Sequence, residues 1–77
     1  MTRDDLCALV KDALDTDDAV DMNSSAENLA EWDSLGHLSV LTALDEATGG
    51  KAASFTDLGE ANSIAAIVGI LESQNII

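Results

Sequence analysis

The stretch Glu31-Trp32-Asp33-Ser34-Leu35-Gly36-His37-Leu38 decides how this chain is read. A long polar segment runs into an Asp-Ser pair, and helical apolar spacing begins at once. Asp33 is a good N-cap, because its carboxylate can accept from the free backbone N–H groups of a first turn. Ser34 then falls at the first helical position, with its hydroxyl predicted to be exposed beside a helix N-terminus. Such a terminus favours negative charge and points unpaired N–H groups outward. A hydroxyl there is well placed to carry a phosphate ester. Serine is also common at helix starts for capping reasons alone, so a plain structural reading stands beside the chemical one.

Working downstream, helix II is expected from Ser34 to about Thr48, stopped by Gly49-Gly50. At helical periodicity Val40, Leu44 and Ala47 fall together, flanked by Leu41 and His37. That stripe is predicted to face the core. Leu35 and Leu38 lie on the other side, with Ser39, Thr42 and Glu46. An ordinary surface helix needs only one apolar stripe. The second spot predicts a docking face for a partner, although single exposed leucines are common. Lys51 to Phe55 reads as a connector. Thr56-Asp57-Leu58-Gly59-Glu60-Ala61 reads as a short helix III anchored by Phe55 and Leu58. Asn62 or Ser63 caps helix IV, where Ile64, Ile67, Val68 and Leu71 repeat at helical spacing. Ile76 and Ile77 are left as a tail.

Upstream, residues 16–33 form a connection long enough to suggest function. Val20, Met22, Leu29 and Trp32 are its expected anchors, and Ser25-Ala26-Glu27-Asn28 an expected turn. Asp15, Asp17 and Asp21 invite a calcium-loop reading, which fails. Ala19, Val20 and Ala26 stand where such a loop needs an oxygen ligand, a glycine and a glutamate. Only weak, non-specific cation binding is expected there. Helix I, residues 3 to 15, starts on a capping-box-like pair, Thr2 and Asp5. It carries Leu6, Leu9, Val10, Ala13 and Leu14 at core spacing. The pattern predicts one all-α domain over residues 1–77. Its architecture is a four-helix bundle, three longer helices plus a short helix III, with a long loop between helices I and II.

Composition bounds the rest. A 77-residue chain buries only about 60% of its unfolded surface, so modest stability is expected. One Trp, one Phe and no Tyr leave the core to aliphatic side chains. Fifteen acidic residues against three basic ones give a net charge of -12. That balance argues against nucleic acid, whose binding needs clustered Lys and Arg, and against anionic membrane surfaces. Basic protein surfaces are the expected partners, with solubility as the bland role of the same charge. Cys7 alone forms no internal disulfide and is expected to pack near the helix I core face. No signal-peptide pattern or membrane-length apolar run is seen, so a cytoplasmic monomer is expected.

Ser34 and His37, three residues apart on a helix face, could form a nucleophilic dyad. Against it, the G-x-S-x-G elbow is absent and no third group orients the His.

The sequence resembles the acyl carrier proteins over essentially its whole length. The resemblance rests on Trp32-Asp33-Ser34-Leu35-Gly36-His37-Leu38 followed by Ala43-Leu44-Asp45-Glu46. The long preceding loop, short helix III and Ile-rich last helix fit the same layout. The resemblance implies 4'-phosphopantetheine on Ser34, installed from coenzyme A by a Mg²⁺-dependent phosphopantetheinyl transferase. The arm's thiol would hold acyl cargo as a thioester for enzymes of fatty-acid, polyketide or related lipid synthesis. The chain itself would not be an enzyme. Asp33 would cap the helix and help position the transferase. Leu35 and Leu38 would fill apolar pockets on partners, with Ser39 and Thr42 on the same face. Glu46 would meet basic residues of acyl-loading and acyl-processing enzymes. The interior between helices II and III would shelter cargo.

The chain departs from the family's usual spelling: Gly36, Ser39 and Thr42 make the first half of helix II less acidic than in many fatty-acid-synthesis carriers. Gly36 is expected to loosen the helix beside Ser34, and His37 to be a partly buried packing residue, with a pH-sensitive contact to the arm as a second reading. The D-S-L-G-H-L spelling is closer to stand-alone carriers of polyketide, surface-polysaccharide or modified-lipid pathways. Absence of G-G-x-S weighs against an aminoacyl or peptidyl cargo without removing it. An unmodified acidic helical adaptor is the alternative.

Overall fold

The computed structural model describes residues 1–77. It contains three α-helices: α1 (Arg3–Leu14), α2 (Ser34–Ala47) and α3 (Ile64–Ser73). Two 3-10 turns, Lys51–Ser54 and Thr56–Glu60, lie between α2 and α3. There are no strands; the one β-bridge pairs Ser25 with Ser63. The expected count of four helices is therefore corrected. The predicted helix III is a five-residue 3-10 turn, and the predicted connector before it is another. The cause is local. Gly49 and Gly50 take positive φ (64° and 91°) and turn the chain out of α2. Phe55 and Ala61 then leave helical backbone (ψ 83° and 84°), which confines the segment to two short turns. The segment closes instead on i→i+3 bonds, Phe55 N–H to Ala52, Leu58 N–H to Phe55 and Ala61 N–H to Leu58.

Each α-helix starts on the cap its sequence offers. Thr2 and Asp5 form the complete capping box of α1. The Thr2 backbone N–H, then its hydroxyl contact, holds the exposed Asp5 carboxyl below the usual range. Asp33 caps α2 through Gly36 N–H, and Ser63 caps α3 through Ala66 N–H. α1 leaves the helix at Asp15, in the left-handed region.

α1 packs against both α2 and α3, and the 3-10 turns close the side against α2. The core is fourteen buried apolar residues, of which only Trp32 is aromatic. Leu6, Val10, Val40, Leu44, Ile64, Ile67 and Leu71 are fully buried. Each such side chain contributes about 1.5–3 kcal/mol of burial. Ala47, predicted on the core stripe, is exposed in the last turn of α2.

Residues 16–33 hold their course by side-chain capping of turns. Asp18 N–H donates to Thr16 Oγ1, Asp21 N–H to Ser24 Oγ and Ser25 N–H to Asn28 Oδ1. Leu29 and Trp32 anchor this loop in the core, and Val20 is half-buried. Met22, expected as an anchor, is exposed. Ala26 N–H to Asn62 O and Ile64 N–H to Ser24 O tie the loop to the start of α3. The expected tail is not loose. Ile76 and Ile77 pack on the core, and Ile76 O accepts from the N-terminal ammonium. No helix is long and apolar enough to cross a membrane.

Candidate functional site

Ser34 is exposed as the first residue of α2. Asp33 Oδ1 accepts from Gly36 N–H at 2.8 Å, and Asp33 O accepts from His37 N–H at 2.8 Å. The N–H groups of Ser34 and Leu35 have no partner within the chain, and neither does the Ser34 hydroxyl. A phosphate ester on Ser34 therefore fits: the oxygen is reachable, and the helix N-terminus beside it favours an anion.

Gly36 is not a point of looseness. A Cβ there would overlap the Glu31 carbonyl oxygen and stand 2.9 Å from Leu14 Cδ2. The loop backbone and α1 both press on this position, so glycine is required for contact. This corrects the expectation drawn from helix propensity.

His37 is half-buried. Trp32 Nε1–H donates to its Nδ1 at 3.0 Å, and its Nε2 lies 2.9 Å from Leu58 O. An indole N–H can only donate and a carbonyl can only accept. The ring therefore carries its proton on Nε2 and accepts at Nδ1. The Trp32 and His37 rings are nearly coplanar across this bond, with 6.2 Å between centroids and 20° between planes. One short chain of bonds joins the loop, α2 and the second 3-10 turn. Neither His37 nitrogen bonds to Ser34. Sequence reasoning placed His37 among packing residues and missed this bridge. The signal was a Trp five residues ahead of a His across a helix start.

An open cleft of about 650 Å³ lies beside Ser34, lined by Asp33, Trp32, His37, Leu38, Leu41 and Asn62 among others. A second hollow, bounded by Leu41, Asp45, Phe55, Leu58 and Gly59, runs on from it. Leu35 and Leu38 are 75% and 59% exposed, with Leu38 on the ridge between this cleft and the opposite flank of α2. They share a shallow hollow with Ala13, Ser39, Thr42 and Glu46. The Ser39 hydroxyl donates back to Leu35 O, and that of Thr42 to Leu38 O. Both donors are thus engaged within the helix, which leaves the face nearly apolar. No Asp, Glu, Lys or Arg occurs from Ser34 to Leu44, so Glu46 stands at the edge of an uncharged strip.

No family model, curated protein or solved structure matches the chain.

Proposed function

We propose that the chain is an acyl carrier protein whose Ser34 takes 4'-phosphopantetheine. The observation that carries this reading is the exposed, unpartnered Ser34 hydroxyl on the Asp33-capped start of α2, at the lip of an open cleft. On this reading the fold is the family's bundle, with the two 3-10 turns in the place of helix III. A phosphopantetheinyl transferase joins Ser34 Oγ to the phosphorus that bears pantetheine in coenzyme A. The pyrophosphate link breaks, adenosine bisphosphate leaves, and the hydroxyl proton passes to a base on the transferase. When bound, the arm supplies a thiol that holds acyl groups as thioesters. The chain's own residues hold and present it. Asp33 fixes the helix start, Leu35 and Leu38 offer apolar contact, and Glu46 with the wider acidic surface attracts basic partners. The setting is cytosolic, and the partners are the transferase and acyl-loading or acyl-processing enzymes. A Ser34–His37 hydrolase is disfavoured because both His37 nitrogens are engaged elsewhere.

Incubation with coenzyme A, Mg²⁺ and a broad-specificity transferase, followed by intact mass, tests the proposal. The expected result is a gain of one phosphopantetheinyl group that is absent in Ser34→Ala. No gain with several transferases would leave the acidic adaptor, whose exposed Leu35 and Leu38 face needs no modification.

A further inference from the structure

We infer that the Trp32–His37–Leu58 bridge closes the floor of the cleft beside Ser34, so that cargo on Ser34 stays in the open groove and does not enter the core. The inference rests on the carrier reading for its cargo, and on geometry for its floor. The cleft at Ser34 and the hollow toward Phe55 share Leu41 and Gly59, so they form one groove between α2 and the second 3-10 turn. A chain leaving this groove for the interior has to pass between α2 and Leu58. The His37 Nε2–Leu58 O bond spans that gap at 2.9 Å, and the Trp32 Nε1–His37 Nδ1 bond, at 3.0 Å, holds the His37 ring from the loop side.

Behind them the interior is full. Leu44, Leu58, Ile64 and Ile67 are each at most 2% exposed. All four hollows on the molecule open to solvent. No buried side-chain polar atom lacks a partner, so none awaits a ligand. A close-packed core has no room for added methylenes without displacement. Passage of an acyl chain there would also break the bond between His37 Nε2 and Leu58 O and leave that N–H unpaired. The favoured cargo is therefore a short acyl group, or one bearing hydroxyl or keto oxygens, which loses little by remaining wet. A long saturated chain would lie along Leu38 and Leu41 with its end in water. On this inference the cargo stays outside the bundle interior, where the family resemblance would place it.

The test compares acetyl and octanoyl forms by two routes. In one, a transferase loads acyl-phosphopantetheine onto Ser34 from acetyl- or octanoyl-coenzyme A, with adenosine bisphosphate leaving. In the other, Ser34→Cys in a Cys7→Ser background is alkylated with N-octyl or N-methyl iodoacetamide, which needs no transferase. Failure of the first route alone overturns the carrier reading, while the second still decides the floor. The expected result is that octyl cargo shifts the amide signals of Leu38, Leu41 and Gly59. Those of Leu44, Ile64 and Ile67, and the Trp32 indole N–H, stay in place. Octanoyl and acetyl thioesters then hydrolyse at equal rates. In His37→Ala, which removes the bridge, the core amides move and octanoyl hydrolysis slows about fivefold or more as water is excluded. Trp32→Phe, which keeps a ring but removes the donor, serves if His37→Ala does not fold. Core amides that move with octyl cargo in the parent chain, or octanoyl hydrolysis that is slowed there, overturn the inference.

Discussion

Gly36 and Glu31 meet backbone to backbone: a side chain on Gly36 would overlap the Glu31 carbonyl oxygen. Gly36→Ala raises helix propensity by about 1 kcal/mol. Overpacking of a filled site typically costs about 1–3 kcal/mol. Here the obstacle is backbone, and moving it drags buried Trp32 and the Asp33 cap. The second effect wins, and a net loss on the order of 1 kcal/mol or more is expected. Thermal unfolding followed by circular dichroism checks this. A melting temperature at or above that of the parent would mean that the loop yields freely.

The Trp32–His37 bond fixes a tautomer, which nitrogen-15 spectra of the imidazole read directly. The neutral ring is expected to carry its proton on Nε2, since Nδ1 accepts from the indole. Trp32→Phe leaves His37 Nδ1 without its donor and is expected to lower stability by about 1–3 kcal/mol. Urea unfolding by far-ultraviolet circular dichroism measures it, because the variant loses the only tryptophan. A proton found on Nδ1 would break the bridge as drawn.

Local rules made much of this chain legible in advance. Caps at Thr2, Asp33 and Ser63, and the stop at Gly49-Gly50, follow from side-chain chemistry over a few residues. The buried stripe of Val40 and Leu44 and the exposed pair Leu35 and Leu38 follow from helical period. What escaped depends on contacts distant in sequence or on small energy differences. Gly36 is required by Glu31 and Leu14, neither of which a helix pattern includes. The choice between α and 3-10 over residues 51–60 turns on one hydrogen-bond register. Met22 and Val20 have similar apolar character, and only the path of the loop decides that one is exposed and the other half-buried.

Cys7 is held as a thiol. Burial first, then the negative charges of Asp4 and Asp21, push its pKa above the ordinary 9.0. A raised folded-state pKa leaves stability intact below the unfolded value and removes it as pH climbs through the folded value. Native Cys7 is therefore expected to react more slowly with iodoacetamide at mildly alkaline pH than in the urea-unfolded chain. Cys7→Ser is expected to flatten the loss of stability at strongly alkaline pH. Mass spectrometry of timed alkylation gives the first readout and unfolding curves the second. Equal native and unfolded rates would place the thiol at the open surface.

Leu38 and Glu46 divide the proposed docking face into an apolar and an electrostatic part. Leu38 is 59% exposed and Glu46 is exposed, so Leu38→Ala and Glu46→Lys are each expected to change stability by no more than about 0.5 kcal/mol. Both are expected to slow turnover of the loaded chain by an acyl-processing enzyme, but with different salt dependence. The charge reversal repels a basic partner, and its penalty fades as salt screens the pair. The leucine truncation removes buried apolar contact, which salt does not screen, so its penalty persists. Since Ser34 to Leu44 bears no Asp, Glu, Lys or Arg, the Leu38 effect is expected to be the larger at high salt. Turnover measured across a salt series separates them. Parallel curves for the two variants would mean that Glu46 and Leu38 act as one contact, and unfolding of either would mean that it faces the core.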